Sequence, residues 1–113
     1  MKTIIAGSRS FNDYELMCSL MDQVDFWITE VISGGARGAD KLGERWAVDN
    51  GIPYELFLAD WDGYGKSAGM IRNKQMANNA DALVAFWDGE SKGTANMINV
   101  AKKRGLKVVI FMV

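Results

Sequence analysis

The sequence predicts an α/β domain built on a five-stranded parallel sheet, and two observations carry that prediction. Five apolar runs recur along the chain, and most are continuous rather than alternating, as in strands that are covered on both faces. The intervals between them hold apolar residues at helical spacing, with polar residues on the opposite side.

In chain order, TIIAG at 3–7 is the first strand, and FNDYELMCSLMDQV after it places Phe11, Tyr14, Met17, Cys18 and Met21 on one helical stripe. EVISGG at 30–35 is the second strand. ADKLGERWAVDN follows as a helix with Leu42, Trp46 and Asp49 at one spacing. PYELFLA at 53–59 is the third strand, followed by the helix SAGMIRNKQMANN. ALVAFW at 82–87 is the fourth, followed by GTANMINVAKKRG, which has Met97, Ile98 and Val100 on one side. KVVIFMV at 107–113 is the fifth. Right-handed crossovers place such helices on both faces of one sheet. The expected architecture is a Rossmann-like three-layer sandwich with strand order 3-2-1-4-5. No linker, repeat or low-complexity tract interrupts residues 1–113, which read as a single domain.

The totals exclude several function classes. A chain of 113 residues with 49% apolar side chains can bury roughly two thirds of its unfolded surface in one core. Its net charge of -1, from 13 basic and 14 acidic residues, gives no overall field for a nucleic-acid backbone or an anionic membrane. Any basic site is therefore local, and no sequence-specific nucleic acid is expected as a partner. Met1 to Ala6 lacks the apolar core of a signal peptide, and no run reaches the roughly eighteen apolar residues of a membrane span. A cytoplasmic protein is expected. Cys18 is the only cysteine, so no internal disulfide or multi-cysteine zinc site can form. Without any histidine, every Ser-His-Asp or Cys-His arrangement is excluded as well. No cofactor or metal is expected.

The glycines locate the function. GSRS follows the first strand, SGGARGAD the second, DWDGYGKSAG the third and WDGESKGT the fourth. All are strand-to-helix turns, so all lie at the carboxyl edge of the sheet, where open α/β sheets bind ligands. Three of them, the first, second and fourth, are expected to meet around one crevice. Gly7, Gly34, Gly35, Gly38, Gly89 and Gly93, with Ala36, leave backbone N–H groups free to approach an anion, and each following helix adds its partial positive charge. Arg9 and Arg37 supply bidentate phosphate donors, while Ser8, Ser91 and Thr94 supply hydroxyls. Asp40 either accepts from a ribose hydroxyl or caps its helix.

Other patterns carry less. DWDGYGKS ends like a phosphate-binding P-loop, but Asp60 occupies the place of its first glycine. GESKG at 89–93 matches a nucleophile elbow, yet Ser91 has no histidine to serve as base. The two carboxylates of DWD at 60–62 are more often solvated or capping than metal ligands. Trp61 and Tyr64 can stack on a base or cover the crevice, or simply pack over the sheet edge. Arg72 and Asn73, among Met70, Ile71 and Met76, either lean into the crevice or stay at the surface.

Taken together, GSRSF, SGGARGADKLGERWA, GIPYELFLADWDGYGKSAGMIRNKQM, ALVAFWDG and GTANMI resemble, in order, the SLOG superfamily, and more closely its YspA/YpsA-related branch of small bacterial and phage proteins. The superfamily includes the Smf/DprA proteins and the LOG nucleotide phosphoribohydrolases. The resemblance covers almost the whole chain and implies a nucleotide-derived ligand between the glycine-rich turns. LOG-type enzymes carry a glutamate in a G-T-x-x-E motif and an arginine on the preceding helix. Arg72 resembles that arginine, but GTANM places Met97 where the glutamate would stand, and a methionine can neither stabilise an oxocarbenium ion nor activate water.

Two functions from different classes follow. In the first, the domain binds a nucleotide or a nucleotide-derived ligand as a sensor, sequestering or accessory module. In the second it releases a base from a nucleoside monophosphate, with Arg72 orienting the phosphate or ribose and Asp40 or Asp88 supplying the carboxylate. Apolar helix faces left over after the sheet is covered would allow a homo-oligomer.

Overall fold

The computed structural model describes residues 1–113. Its single sheet has five parallel strands in the order β3-β2-β1-β4-β5, formed by β1 (Lys2–Gly7), β2 (Glu30–Ser33), β3 (Tyr54–Leu56), β4 (Ala82–Trp87) and β5 (Lys107–Met112). The helices are α1 (Tyr14–Met21), α2 (Ala39–Asp49), α3 (Trp61–Tyr64), α4 (Ala68–Asn78) and α5 (Lys92–Lys103), with a 3-10 turn at Gly65–Ser67 between α3 and α4. No helix is long and apolar enough to cross a membrane.

Alternation along the central strands divides the core into two layers. Ile4, Ala6, Ile32, Leu83 and Ala85 face α4 and α5, meeting Met76, Ala77, Met97, Ile98 and Ala101. Ile5, Val31, Val84 and Phe86 face α1 and α2, meeting Met17, Met21, Ala39 and Ala47. Each fully buried Ile, Leu or Phe in these layers contributes about 1.5–3 kcal/mol. The three-layer sandwich and its strand order are those the sequence predicts.

Three elements differ in detail from the sequence expectation. The third strand ends at Leu56 and not at Ala59. Its neighbour β2 stops at Ser33, where Gly35 turns the chain away at φ +72°, and the Phe57 N–H bond to the Ser33 carbonyl (2.8 Å) is the last link. Beyond it residues 58–59 have no strand to pair with. The first helix starts at Tyr14, capped by Asp13, whose carboxylate accepts the Leu16 N–H at 3.0 Å. Phe11 therefore precedes the helix and is held by stacking on Phe86, with ring centres 5.4 Å apart.

In α2 the buried face is Ala39, Asp40, Gly43, Glu44 and Ala47, whereas Leu42 and Trp46 are half-buried and Asp49 is exposed. The reason is close packing: a Cβ on Gly43 would lie 2.9 Å from the Cβ of Ile5. Small residues let α2 settle onto the sheet, which pushes the larger side chains to the rim. Asp49 instead ties the helix to α1 by accepting the Tyr14 hydroxyl at 2.6 Å.

Candidate functional site

Because every strand is parallel, all four glycine-rich turns emerge at the same edge of the sheet. Ser8 joins three of them. Its carbonyl accepts the N–H groups of Phe11 and Ala39, each at 3.2 Å, and its hydroxyl oxygen accepts the Asp88 N–H at 3.1 Å. Ser8 is thus buried as a hub between turns. Gly7 is required just before it, since a Cβ there would lie 2.9 Å from the Ala39 methyl and collide with the Phe86 carbonyl.

The second turn is braced from behind by residues that sequence reasoning missed. Ser33 donates its hydroxyl to the buried Glu44 carboxylate (2.8 Å) and accepts the Gly35 N–H (3.1 Å). A serine closing an apolar strand, and a glutamate one helical turn after Asp40, were the available signals. Asp40 accepts the Ala36 N–H at 3.1 Å, so it holds the turn from inside and does not cap the helix start at Gly38, which has no side-chain cap. Gly38 sits at φ +82°, against the Ser8 and Arg9 carbonyls, where a side chain would be strained. Burial pushes the Asp40 carboxyl up to about 6, against the opposing pull of the Ala36 N–H and of Arg72.

Arg72 is the crosspiece. From α4 its Nη1 donates to the Gly34 carbonyl at 2.6 Å and to the Phe57 carbonyl at 3.5 Å, while Nε donates to Asn73 Oδ1 at 3.1 Å. Gly34 is needed for this, because a Cβ would stand 2.8 Å from Cζ of Arg72. No protein acceptor takes the N–H groups of Nη2, and Arg72 lines the cleft. Burial lowers the guanidinium pKa, and Asp40 opposes that shift. Asn73, also buried, donates to Asn96 Oδ1 at 2.8 Å and to the Gly93 carbonyl at 3.4 Å. The α4–α5 seam is therefore closed by amides.

The fourth turn is held by Asp88, whose carboxylate accepts the N–H groups of Glu90 and Ser91, both at 2.8 Å. Those bonds, Ser91 first, hold its pKa below the usual carboxylate range. Ser91 caps α5 by accepting the Thr94 N–H, and its hydroxyl lies 3.0 Å from that of Thr94. The N–H groups of Lys92 and Gly93, in the first turn of the helix, have no intrahelical acceptor.

These turns enclose a cleft of about 340 Å³. Gly7 and Arg9 come from the first turn, Ala36 and Asp40 from the second, Trp61 from α3, Arg72 and Asn73 from α4, and Ser91, Gly93 and Thr94 from the fourth turn. The expectation that three turns share the crevice is exceeded. The third joins because the chain leaves the sheet at Leu56 and α3 runs back over the edge. Lys66, Met70, Met76, Asn96 and Met97 line the same cleft and were not anticipated as site residues. Lys66 stood in the rejected P-loop pattern, where a lysine in a strand-to-helix turn was the available clue. Gly34, Gly35 and Arg37 line an adjoining hollow with Arg9 and Arg72, and Ser8, Gly38 and Asp88 line another with Arg9 and Arg37. Tyr64 and Gly89 line none of these; Tyr64 is exposed. Met97, at the position of the absent glutamate, is buried in the α5 core.

Comparisons with known proteins agree with this architecture. A family model described as "YAcAr: YspA, cpYpsA-related SLOG family" matches residues 1–64. The Gene 61 protein of Mycobacterium phage D29 is 34% identical, over 97% of this chain and 95% of that protein. Among solved structures, DNA processing protein A (DprA) from Streptococcus pneumoniae superposes on 96% of the chain with a TM-score of 0.71 at 16% identity. The chain spans about half of that DprA chain, 49% of it, and at this identity the likeness is one of fold.

Proposed function

The chain belongs to the YspA, cpYpsA-related SLOG family, and we propose that it binds a nucleotide or nucleotide-derived ligand at the carboxyl edge of its sheet, as a sensor, sequestering or accessory module. One observation carries this reading. Residues from all four strand-to-helix turns line one cleft whose cations, Arg9, Lys66, Arg72 and Lys92, form no ion pair with any carboxylate, since the ion pairs of the molecule use Lys41, Arg45 and Lys107. Unpaired cations beside free helix-start amides suit phosphate, and the exposed Trp61 and Met70 offer an apolar wall for a base.

A second reading, release of a base from a nucleoside monophosphate, is favoured by Asp40. Its carboxyl lines the cleft beside Arg72 and titrates near 6, within reach of general acid or base work. Asp88 is less suited, because its carboxylate is occupied by the Glu90 and Ser91 amides. We favour binding without turnover because Asp40 is itself engaged with the Ala36 N–H and no second carboxylate lines the same cleft.

The test is mass spectrometry of small molecules released from the denatured protein, together with a thermal-shift panel of nucleotides. Binding without turnover predicts an intact nucleotide, or stabilisation by one that persists unchanged. Consumption of the added nucleotide with release of a free base would instead establish the hydrolase. No binding across the panel would remove both readings.

A further inference from the structure

Of the three compartments at this edge of the sheet, two share a wall and differ sharply in chemistry. The inner one, of about 340 Å³, carries Trp61, Met70, Met76 and Met97 on its walls, with Lys66 and Arg72. The outer one, of about 650 Å³, has no hydrophobic side chain at all and carries Arg9, Arg37, Ser10 and Asn12. Arg9, Ser91 and Gly93 belong to both, so the compartments meet along that wall. The inner volume lies at the bottom of the roughly 300–1,000 Å³ range of small-molecule sites. Arg37 lines the outer compartment and not the inner one.

Neither Arg9 nor Arg37 is satisfied by the protein, because neither takes part in an ion pair or donates a side-chain hydrogen bond. The one carboxylate of the outer compartment, Asp88, is turned onto the Glu90 and Ser91 amides. Those amides keep it ionised, so the outer compartment holds one negative charge against the two positive charges of Arg9 and Arg37. Two guanidinium groups on a polar, concave wall suit an anion with several oxygens.

We infer that the ligand carries at least two linked phosphates. The nucleoside lies in the inner compartment, its first phosphate meets Arg72, Lys66 and the start of α5, and the next reaches Arg9 and Arg37 across the shared wall. This rests on the reading of the cleft as a nucleotide site, and it separates the ligand from the nucleoside monophosphate that a base-releasing hydrolase would take.

The experiment is isothermal titration of the full chain with AMP and ADP, and with the corresponding guanosine, cytidine and uridine pairs, repeated on R37A. Arg37 is exposed, so its replacement spares the fold. The expected result is that, for the preferred base, the diphosphate binds about tenfold or more tightly than the monophosphate, the size of one good charge-assisted contact. In R37A that ratio falls toward one. Equal binding of the two, or a ratio that R37A leaves unchanged, overturns the inference while the nucleotide site stands. Failure of every nucleotide to bind overturns the site and the inference together.

Discussion

Asp40 shows how one buried carboxyl couples the site to pH. Its side chain is 6% exposed, and burial raises its pKa from 3.8 to about 6, so the folded protein takes up this proton before the unfolded chain does. The contribution to stability is fully present below pH about 4, the unfolded pKa, and is lost as pH rises through 6. By the usual conversion the loss is at most about 3 kcal/mol. In D40N the amide oxygen still accepts the Ala36 N–H but no longer ionises. Urea denaturation between pH 4 and 7 should therefore show the wild type losing stability relative to D40N across that interval. Parallel curves would mean that Asp40 is solvated in a way its burial does not suggest. Glu44, one turn along α2, adds to the upward shift and stays in place in both proteins, so the comparison isolates Asp40.

At the level of elements, the second turn and α4 act as one device. Gly34 accepts from Arg72 and leaves the space its guanidinium fills. R72A removes the crosspiece between two turns at a cost of about 1–3 kcal/mol for the acceptors left behind. G34A forces the same guanidinium out of place. If the two residues form one unit, each substitution should weaken nucleotide binding, and the G34A/R72A double variant should lose far less than the sum of the two; additive losses in a titration of the four proteins would sink the idea.

The glycine of this pair was legible in SGGARGAD and its arginine in MIRNK, because glycine in a strand-to-helix turn and arginine among apolar residues are both visible in sequence. Their contact was not, because it depends on where α4 begins. The short α3 and the 3-10 turn ahead of α4 are set by local capping, the Asp60 carboxylate accepting the Gly63 N–H at 2.9 Å, a cue too brief to register as a helix. The same limit hid Lys66 and Met70. Ser33 and Glu44 were hidden differently: each looks like an ordinary polar residue until the strand and helix are packed together. The parallel sheet with helices on both faces, in contrast, followed from continuous apolar runs and crossover handedness, which require no knowledge of side-chain contacts.

For the molecule as a whole, charge is distributed rather than accumulated. The net charge is only -1, yet Arg9, Arg37, Lys66, Arg72 and Lys92 gather around the compartments at one edge of the sheet. The three ion pairs lie elsewhere, each with a substantially exposed cation, and such pairs contribute at most about 1 kcal/mol apiece. Salt should therefore act on the two properties of this protein very differently. Stability rests on the two apolar layers against the sheet, and the melting temperature of the free protein should hardly move between about 0.05 and 0.5 M salt. Nucleotide binding depends on cations that face an open cleft, where the screening length falls to roughly 10 Å at 0.1 M, so its affinity should drop several-fold over the same interval. R9A should flatten that dependence, because Arg9 stands on the wall the two compartments share. Titrations at three salt concentrations would decide the matter. An affinity indifferent to salt would mean that the apolar wall of Trp61 and Met70 holds the ligand and that the phosphates are read by backbone amides alone.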